Sequence, residues 1–255
     1  LSLSLSRSPT RSALMTARYP FHTGMQHSTT LTPGTMAALP ADTPTIAEAL
    51  ASKGYDTHAI GKWHLGYASW DNTPLGRGFR TYNGYLQGAC DYYNKTMGSA
   101  GGFKKAKLGF DFWRNKEAAW DQYGLYSQDF YQTTAADILA SHDPAAGKPL
   151  FLYFAHPLIH EPIEIPTGPE HAAACDAAGV NASIPDGRNR HVLCSMMHRL
   201  DADIGSFVQM LKKKGMWDNT VLWVTTDNVS TLVVMANLPG VSFFVPTRPS
   251  PLPLI

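Results

Sequence analysis

The chain has 255 residues, enough for one large domain with a sizeable buried core. Lys plus Arg is 21 and Asp plus Glu is 20, a net charge of +1 that excludes the strong basic excess of a polyanion-binding surface, so no nucleic-acid partner is expected. A hydrophobic content of 44% excludes wholesale disorder, and no apolar run reaches the roughly 18–20 residues of a membrane span.

Residues 1–6 alternate Leu and Ser without the basic start or apolar stretch of a signal peptide, and read as a leader foreign to the fold. Ser8-Pro9 then predicts an N-cap and first-turn proline, opening a short helix to about Arg18. Thr43-Pro44 repeats the device before a helix bearing Ile46, Ala47, Leu50 and Ala51. Gly54 closes that helix, and Tyr55–Ile60 reads as a strand. Residues 67–125, rich in Gly, Asn, Asp and aromatics, read as a long irregular excursion rather than core. A helix is predicted over Ser127–Ser141 with Phe130, Ile138 and Leu139 on its apolar face. Leu150–Ala155 is a continuous apolar run, the pattern of a strand covered on both sides.

From about Arg190 to Lys214, apolar residues recur every three or four positions, and Lys212, Lys213 and Lys214 suit the negative end of that helix. Gly215 stops it, and Val221–Thr226 reads as the next buried strand. Strand, long helix and strand joined by short links predict an α/β fold. The stretch 229–255 carries five prolines and a single charge, Arg248, and reads as a non-native or disordered tail. The three cysteines, Cys90, Cys175 and Cys194, fit neither a disulfide framework nor a zinc spacing. At most one disulfide can form, leaving one thiol. Asn94 and Asn181 head glycosylation sequons, which permits a secretory-pathway reading.

Four polar clusters fall beyond strand ends or at helix starts, where α/β folds place their chemistry. Ser8–Arg18 offers free amides at a helix N-terminus and, at Arg11, a fork of donors for an anion. In Gly61-Lys-Trp-His-Leu-Gly66, Lys62 and His64 stand two apart, so an extended backbone aims both at one face. Lys supplies a point charge for an oxyanion and His a proton shuttle near neutral pH. In His156-Pro-Leu-Ile-His-Glu-Pro162, either His160 or His156 could protonate a leaving group. Asp227-Asn228 offers hard oxygens suited to Ca²⁺ or Mg²⁺, although two oxygens alone cannot hold such a cation. Taken singly, each cluster also fits an ordinary turn or a capped helix.

In this order and at these separations the clusters resemble the sulfatase family. Its signature is Cys-x-Pro-Ser/Thr-Arg-x-x-x-x-Thr-Gly-Arg, and the chain reads Arg7-Ser-Pro-Thr-Arg-Ser-Ala-Leu-Met-Thr-Ala-Arg18. Leu150-Phe-Leu-Tyr, His160-Glu-Pro162, Asn189-Arg-His191 and Gly215-Met-Trp-Asp-Asn-Thr220 are most similar to the arylsulfatase B branch. The likeness spans roughly residues 7–228, read as part of a catalytic domain.

The resemblance implies an alkaline-phosphatase-like, mostly parallel mixed sheet flanked by helices. It implies hydrolysis of sulfate esters, of sulfated carbohydrate above all, by a formylglycine nucleophile made from the first signature Cys and by a bound Ca²⁺. Under it, Asp227 and Asn228 are metal ligands and Arg11 holds the formylglycine. Lys62 and His64 sit beside the nucleophile, and His160 lies near the sulfate and leaving oxygen. A secretory or lysosomal location follows from the same resemblance.

The chain departs from the pattern at Arg7, which cannot become an aldehyde, and at Ala17, where the signature has Gly. The strand that carries paired Asp ligands in the family, and the glycine-rich continuation after Asn228, have no counterpart in the sequence. The expectation is an active sulfatase gene truncated or wrongly delimited at both ends and, for the polypeptide as written, no turnover. The rival readings are a non-catalytic protein that binds sulfated ligands, and a phosphatase or phosphonate hydrolase of the same superfamily. Substrate linkage and oligomeric state are not legible in the residues.

Overall fold

The computed structural model describes residues 7–26, 31, 33–96, 109–180 and 187–226. Asp227, Asn228 and Asn181 lie outside them, as do the leader 1–6 and the tail 229–255. The elements run α1 (Arg7–Thr16), α2 (Ile46–Ser52), β1 (Asp56–Lys62), β2 (Thr81–Tyr85), β3 (Trp113–Arg114), β4 (Glu117–Ala118), α3 (Ser127–Ser141), β5 (Leu150–Ala155), α4 (Pro169–Ala177) and α5 (Gly187–Lys213).

The strands form one mixed sheet in the order β4-β3-β2-β1-β5. The three longer strands are parallel, with Gly61 paired to both Gly84 and Ala155, and β3 and β4 add a short antiparallel pair at the β2 edge. Side chains alternate across β1, as the period of a strand requires. Ala59 packs with Met15, Leu39, Ala47, Trp63 and Phe79 on the face that α1 and α2 cover. Ile60 packs with Tyr85, Phe112, Tyr131 and Ile138 on the face that α3 covers. Helices therefore cover both faces of the sheet, the α/β arrangement predicted. A third cluster of Tyr92, Tyr126, Leu158, Val192 and Met196 seats α5 against the loops beyond the sheet.

Several expectations change. α2 is capped by Thr45 rather than Thr43: its hydroxyl accepts from the Glu48 amide at 3.1 Å while Glu48 accepts from the Thr45 amide at 2.6 Å, a reciprocal capping box. The span 67–125 is not all excursion, because β2 within it is the buried neighbour of β1, with Tyr82 and Tyr85 in the two cores. Its Asn83-Gly84 centre hid it. Yet a Cβ on Gly84 would stand 1.9 Å from the Gly61 carbonyl, so this pairing requires glycine there.

Leu150–Phe154 are half-buried rather than enclosed, since among the described residues β5 pairs only with β1. Val221–Thr226 forms no strand. It has no regular structure, with Val221 92% and Trp223 77% exposed, and no described strand offers it a ladder partner. Apolar residues make a buried strand only where a partner and a covering layer exist, and period alone cannot report either.

Cys175 and Cys194 form the single disulfide the count allowed, joining α4 to α5, and Cys90 is a buried free thiol. No described helix is long and apolar enough to cross a membrane.

Candidate active site at the ends of the parallel strands

α1 begins at Arg7 and lays its first turn against the exit of β1. Ser8 and Ser12 are fully buried in that contact and Arg11 nearly so. The Arg11 guanidinium donates to the Lys62 carbonyl at 3.0 Å and to the Tyr153 hydroxyl at 2.9 Å. It thereby ties the helix to the last residue of β1 and to β5. Lys62, inward at the strand end, is only 3% exposed. Both cationic side chains are thus held away from bulk water, where burial of a charge is costly without polar partners.

The reason the chain can turn here lies in two glycines. Gly61 has φ 92°, and a Cβ on it would meet the Ala155 carbonyl oxygen at 2.1 Å, so β1 and β5 close on each other only with glycine at 61. The backbone then reverses at His64, whose φ is 54°. His64 thus sits in a left-handed turn and not on the extended backbone expected from its spacing to Lys62. His64 Nδ1 lies 3.4 Å from the Ser8 hydroxyl and Nε2 lies 3.4 Å from the Leu31 carbonyl. An Nε2–H facing that carbonyl leaves Nδ1 to accept from Ser8.

Gly88 forms the other wall, for a Cβ there would come within 2.8 Å of the His64 ring. The loop leading to Gly88 is held by Asp111, whose buried carboxylate accepts from the Leu86 and Gln87 amides and from the Trp113 indole. Burial pushes the Asp111 carboxyl up, and those three donors oppose it. Gly88, Tyr153 and Asp111 were not singled out from sequence. Gly88 sits beside Gln87 with no motif around it, and Asp111 is distant in the chain.

The His156–Pro162 loop leaves β5 at the same end of the sheet, since Ala155 pairs with Gly61. The structure separates its two histidines. His156 Nε2 lies 3.1 Å from the Asp203 carboxylate, which also receives the Arg199 guanidinium at 2.8 Å. Arg199 extends this network to Asp129 at 2.8 Å and Thr167 at 2.9 Å. Burial lowers the His156 pKa against the pull of Asp203, so this ring is a tether to α5. His160 sits further out on the loop. Its Nδ1 is 2.5 Å from the Glu161 carbonyl oxygen, and the Tyr92 hydroxyl lies 3.0 Å from the Pro157 carbonyl and 3.1 Å from that of His160. The two histidines thus face different partners, His156 the α5 carboxylate and His160 the carbonyl of its own loop.

Arg7 contributes the first residue of α1. The Asn94 side chain is exposed in the 91–96 turn, as a glycosylation acceptor must be. Among the described residues no three His, Cys, Asp or Glu side chains form a group able to hold a metal ion. A surface concavity of about 880 Å³ lies elsewhere, between α3 and the β2–β3 edge, lined by His58, Arg80, Arg114 and Asp129 among others. It includes none of Arg11, Lys62, His64 or His160.

The structure is thus a mixed α/β sheet with cationic and imidazole groups at the ends of its parallel strands. Residues 6–240 match the family described as Sulfatase, and the chain belongs to that family. Arylsulfatase J of Mus musculus is 37% identical over 222 residues, covering 86% of this chain and 34% of the relative. Arylsulfatase A of Homo sapiens is 27% identical over 232 residues, covering 86% and 42%. The crystal structure of Ps i-CgsB in complex with k-i-k-neocarrahexaose matches with a TM-score of 0.66 at 27% identity, over 84% of this chain and 47% of that one. The chain thus spans between a third and a half of the length of these relatives.

Proposed function

We propose that this chain carries the sulfate-recognising part of a sulfuric ester hydrolase fold whose ligands are sulfated carbohydrates. The observation that supports this most is the corner where Arg11, Lys62, His64 and Ser8 converge at the β1 exit. A sulfate ester presents oxygens that need fixed donors, and a leaving alcohol that needs a proton. Arg11 and Lys62 answer the first need. His160, on the loop that faces this end of the sheet, answers the second, and His64 stands beside residue 7 to handle a proton there.

In the family the position of Arg7 holds a formylglycine that would supply the nucleophile, and a divalent cation would supply positive charge to the sulfate. Asp227 and Asn228 are the proposed ligands for that cation, Ca²⁺ or Mg²⁺. The described residues build no such site by themselves. Arg7 has neither an aldehyde nor a nucleophilic oxygen, so the proposed chain binds sulfate esters without cleaving them. This favours a non-catalytic binding role over turnover for the polypeptide as it stands. A secretory location is supported by the Cys175–Cys194 disulfide and the exposed Asn94.

The test is aryl sulfate hydrolysis by the purified chain with added Ca²⁺. No release above that of a Lys62→Ala variant is expected, and metal-dependent turnover by the wild-type chain overturns the non-catalytic reading.

A further inference from the structure

The concavity of about 880 Å³ between α3 and the β2–β3 edge interrupts the apolar packing under that helix. Alternate residues of a strand share a face, so His58 stands with Ile60 on β1, and Thr81 and Asn83 stand with Tyr85 on β2. Toward the strand exits this face carries Ile60 and Tyr85, in the core with Tyr131 and Ile138. Toward the strand starts it carries His58, Thr81 and Asn83, all of which line the groove. Polar side chains beneath a helix need partners, because burial without them is costly. His58 and Thr81 supply each other's, with Nδ1 2.6 Å from the hydroxyl, and His58 Nε2 lies 3.3 Å from the Asp56 carboxylate. Asn83 is only 9% exposed, and its side-chain amide makes no hydrogen bond with any described residue. Such an amide carries a desolvation cost until something in the groove pairs with it.

The facing wall is α3, where Phe130, Thr134 and Asp137 recur at helical spacing along the groove. The cations of the rim are already paired. Arg80 donates to Asp56 at 2.8 Å, and Arg114, whose guanidinium lies 5.3 Å from the Phe130 ring centre, donates to Asp121 at 2.9 Å. Arg199 holds Asp129 at 2.8 Å. Burial lowers the His58 pKa against the pull of Asp56, so that ring is neutral near pH 7. Of the charged side chains lining the groove, Asp137 alone has no counter-ion among the described residues. An anion would therefore meet a carboxylate and no unpaired cation, and an apolar ligand would leave Asn83 unpaired. The Asn83 amide offers a donor and an acceptor, the Thr134 hydroxyl offers both, and the Asp137 carboxylate only accepts. Hydroxyl groups, which donate and accept, answer all three, and Phe130 offers apolar surface to the C–H groups between them.

We propose that this groove binds uncharged sugar units of a glycan, with Asn83 on the sheet and Asp137 on α3 as its hydrogen-bonding residues. Its volume is that of a small-ligand site. His58 stands four residues, about 13 Å, before Lys62 on β1, so the groove is separate from the corner at the β1 exit. Its occupancy needs nothing from Arg11 or Lys62. A few hydrogen bonds in an open groove hold a sugar only at millimolar concentration, outside the reach of a micromolar calorimetric titration.

The experiment mixes the full chain with maltohexaose, cellohexaose or neoagarohexaose at millimolar concentration and reads contact by saturation-transfer NMR. At least one of these neutral hexasaccharides is expected to take up saturation from the wild-type protein. Asn83→Leu, which places an apolar residue on a sheet face, and Asp137→Ala, at an exposed position of α3, both keep the fold by circular dichroism. Each is expected to weaken that binding about tenfold. Lys62→Ala, which removes a cation of the corner, is expected to leave it unchanged, whatever it does to sulfated ligands. Absence of transfer to all the hexasaccharides, or transfer indifferent to both Asn83→Leu and Asp137→Ala, would overturn the assignment. Loss of transfer in Lys62→Ala with none in Asn83→Leu would put the sugar at the corner and overturn it equally.

Discussion

Ala17 ends α1 with φ 53°, its amide donating to the Ala13 carbonyl at 2.8 Å. This is the left-handed position that closes a helix, and glycine reaches it without the Cβ clash that an alanine suffers. The signature's glycine at this point is therefore a backbone requirement, and its loss here stores strain rather than removing a functional group. Ala17→Gly is expected to raise stability by about 1 kcal/mol in urea unfolding, and a loss of stability would contradict the strained geometry. Gly88 bears on His64 in the opposite sense. Gly88→Ala brings a methyl group to within 2.8 Å of the ring and is expected to weaken binding of a sulfated oligosaccharide by about tenfold or more. Calorimetry on the variant checks this, and unchanged affinity would show that His64 does not need its wall.

Glu164 titrates in a range that matters. Burial first, and the neighbouring Asp91 carboxylate after it, push its pKa from the usual carboxylate value up to about 7, against the Tyr92 amide and the Lys95 ammonium. A carboxyl raised in the folded state holds its proton when the unfolded chain has lost it. Its stabilisation is therefore complete below about pH 4.5 and disappears as pH rises through about 7. Glu164→Gln, which keeps the shape without the charge, is expected to flatten the fall in stability between those values. An unchanged pH profile of melting temperature would contradict the assignment.

At the scale of elements, α5 carries the tethers. Arg199 and Asp203 are almost fully buried and bond each other, while Arg199 reaches Asp129 at the start of α3 and Asp203 reaches His156 at the exit of β5. One guanidinium thus fixes three elements. Arg199→Ala leaves Asp203 buried without its cation and is expected to cost about 3 kcal/mol, measured by chemical unfolding. The disulfide closes a span of 19 residues between α4 and α5, and its reduction is expected to cost about 3 kcal/mol by the loop-entropy argument.

These elements differ in how well the residues announced them. α3 and α5 follow from apolar spacing, α1 from its serine and proline, and β1 from its apolar run before Gly61. β2 was missed because close approach to β1 put Asn83 and Gly84 where a propensity argument expects β-branched residues. The 221–226 run was misread because apolar content reports what a segment could bury, whereas partners decide whether it does. The same limit applies to the site. Arg11, Lys62, His64 and His160 were legible as motifs, but Tyr153, Gly88 and the Asp111 brace arise from distant parts of the chain. His156 and His160 could be told apart only when Asp203 was found beside the first.

For the whole molecule, the sheet positions a buried cationic corner at one end of its parallel strands, and the sequence puts Arg7 where the family places its nucleophile. Recognition and chemistry are thereby separated. The donors proposed to grip a sulfate are groups of β1, α1 and the loop after β5, and none of them depends on residue 7 being reactive. The central claim is that the chain binds sulfated carbohydrate through Arg11 and Lys62 and leaves the ester intact. The most direct measurement is a calorimetric titration with a sulfated oligosaccharide and its desulfated counterpart, with free sulfate assayed at the end. The account predicts binding of the sulfated form alone, its loss in Lys62→Ala, and no sulfate release. Equal binding of both forms, or sulfate set free by the wild-type chain, would contradict it.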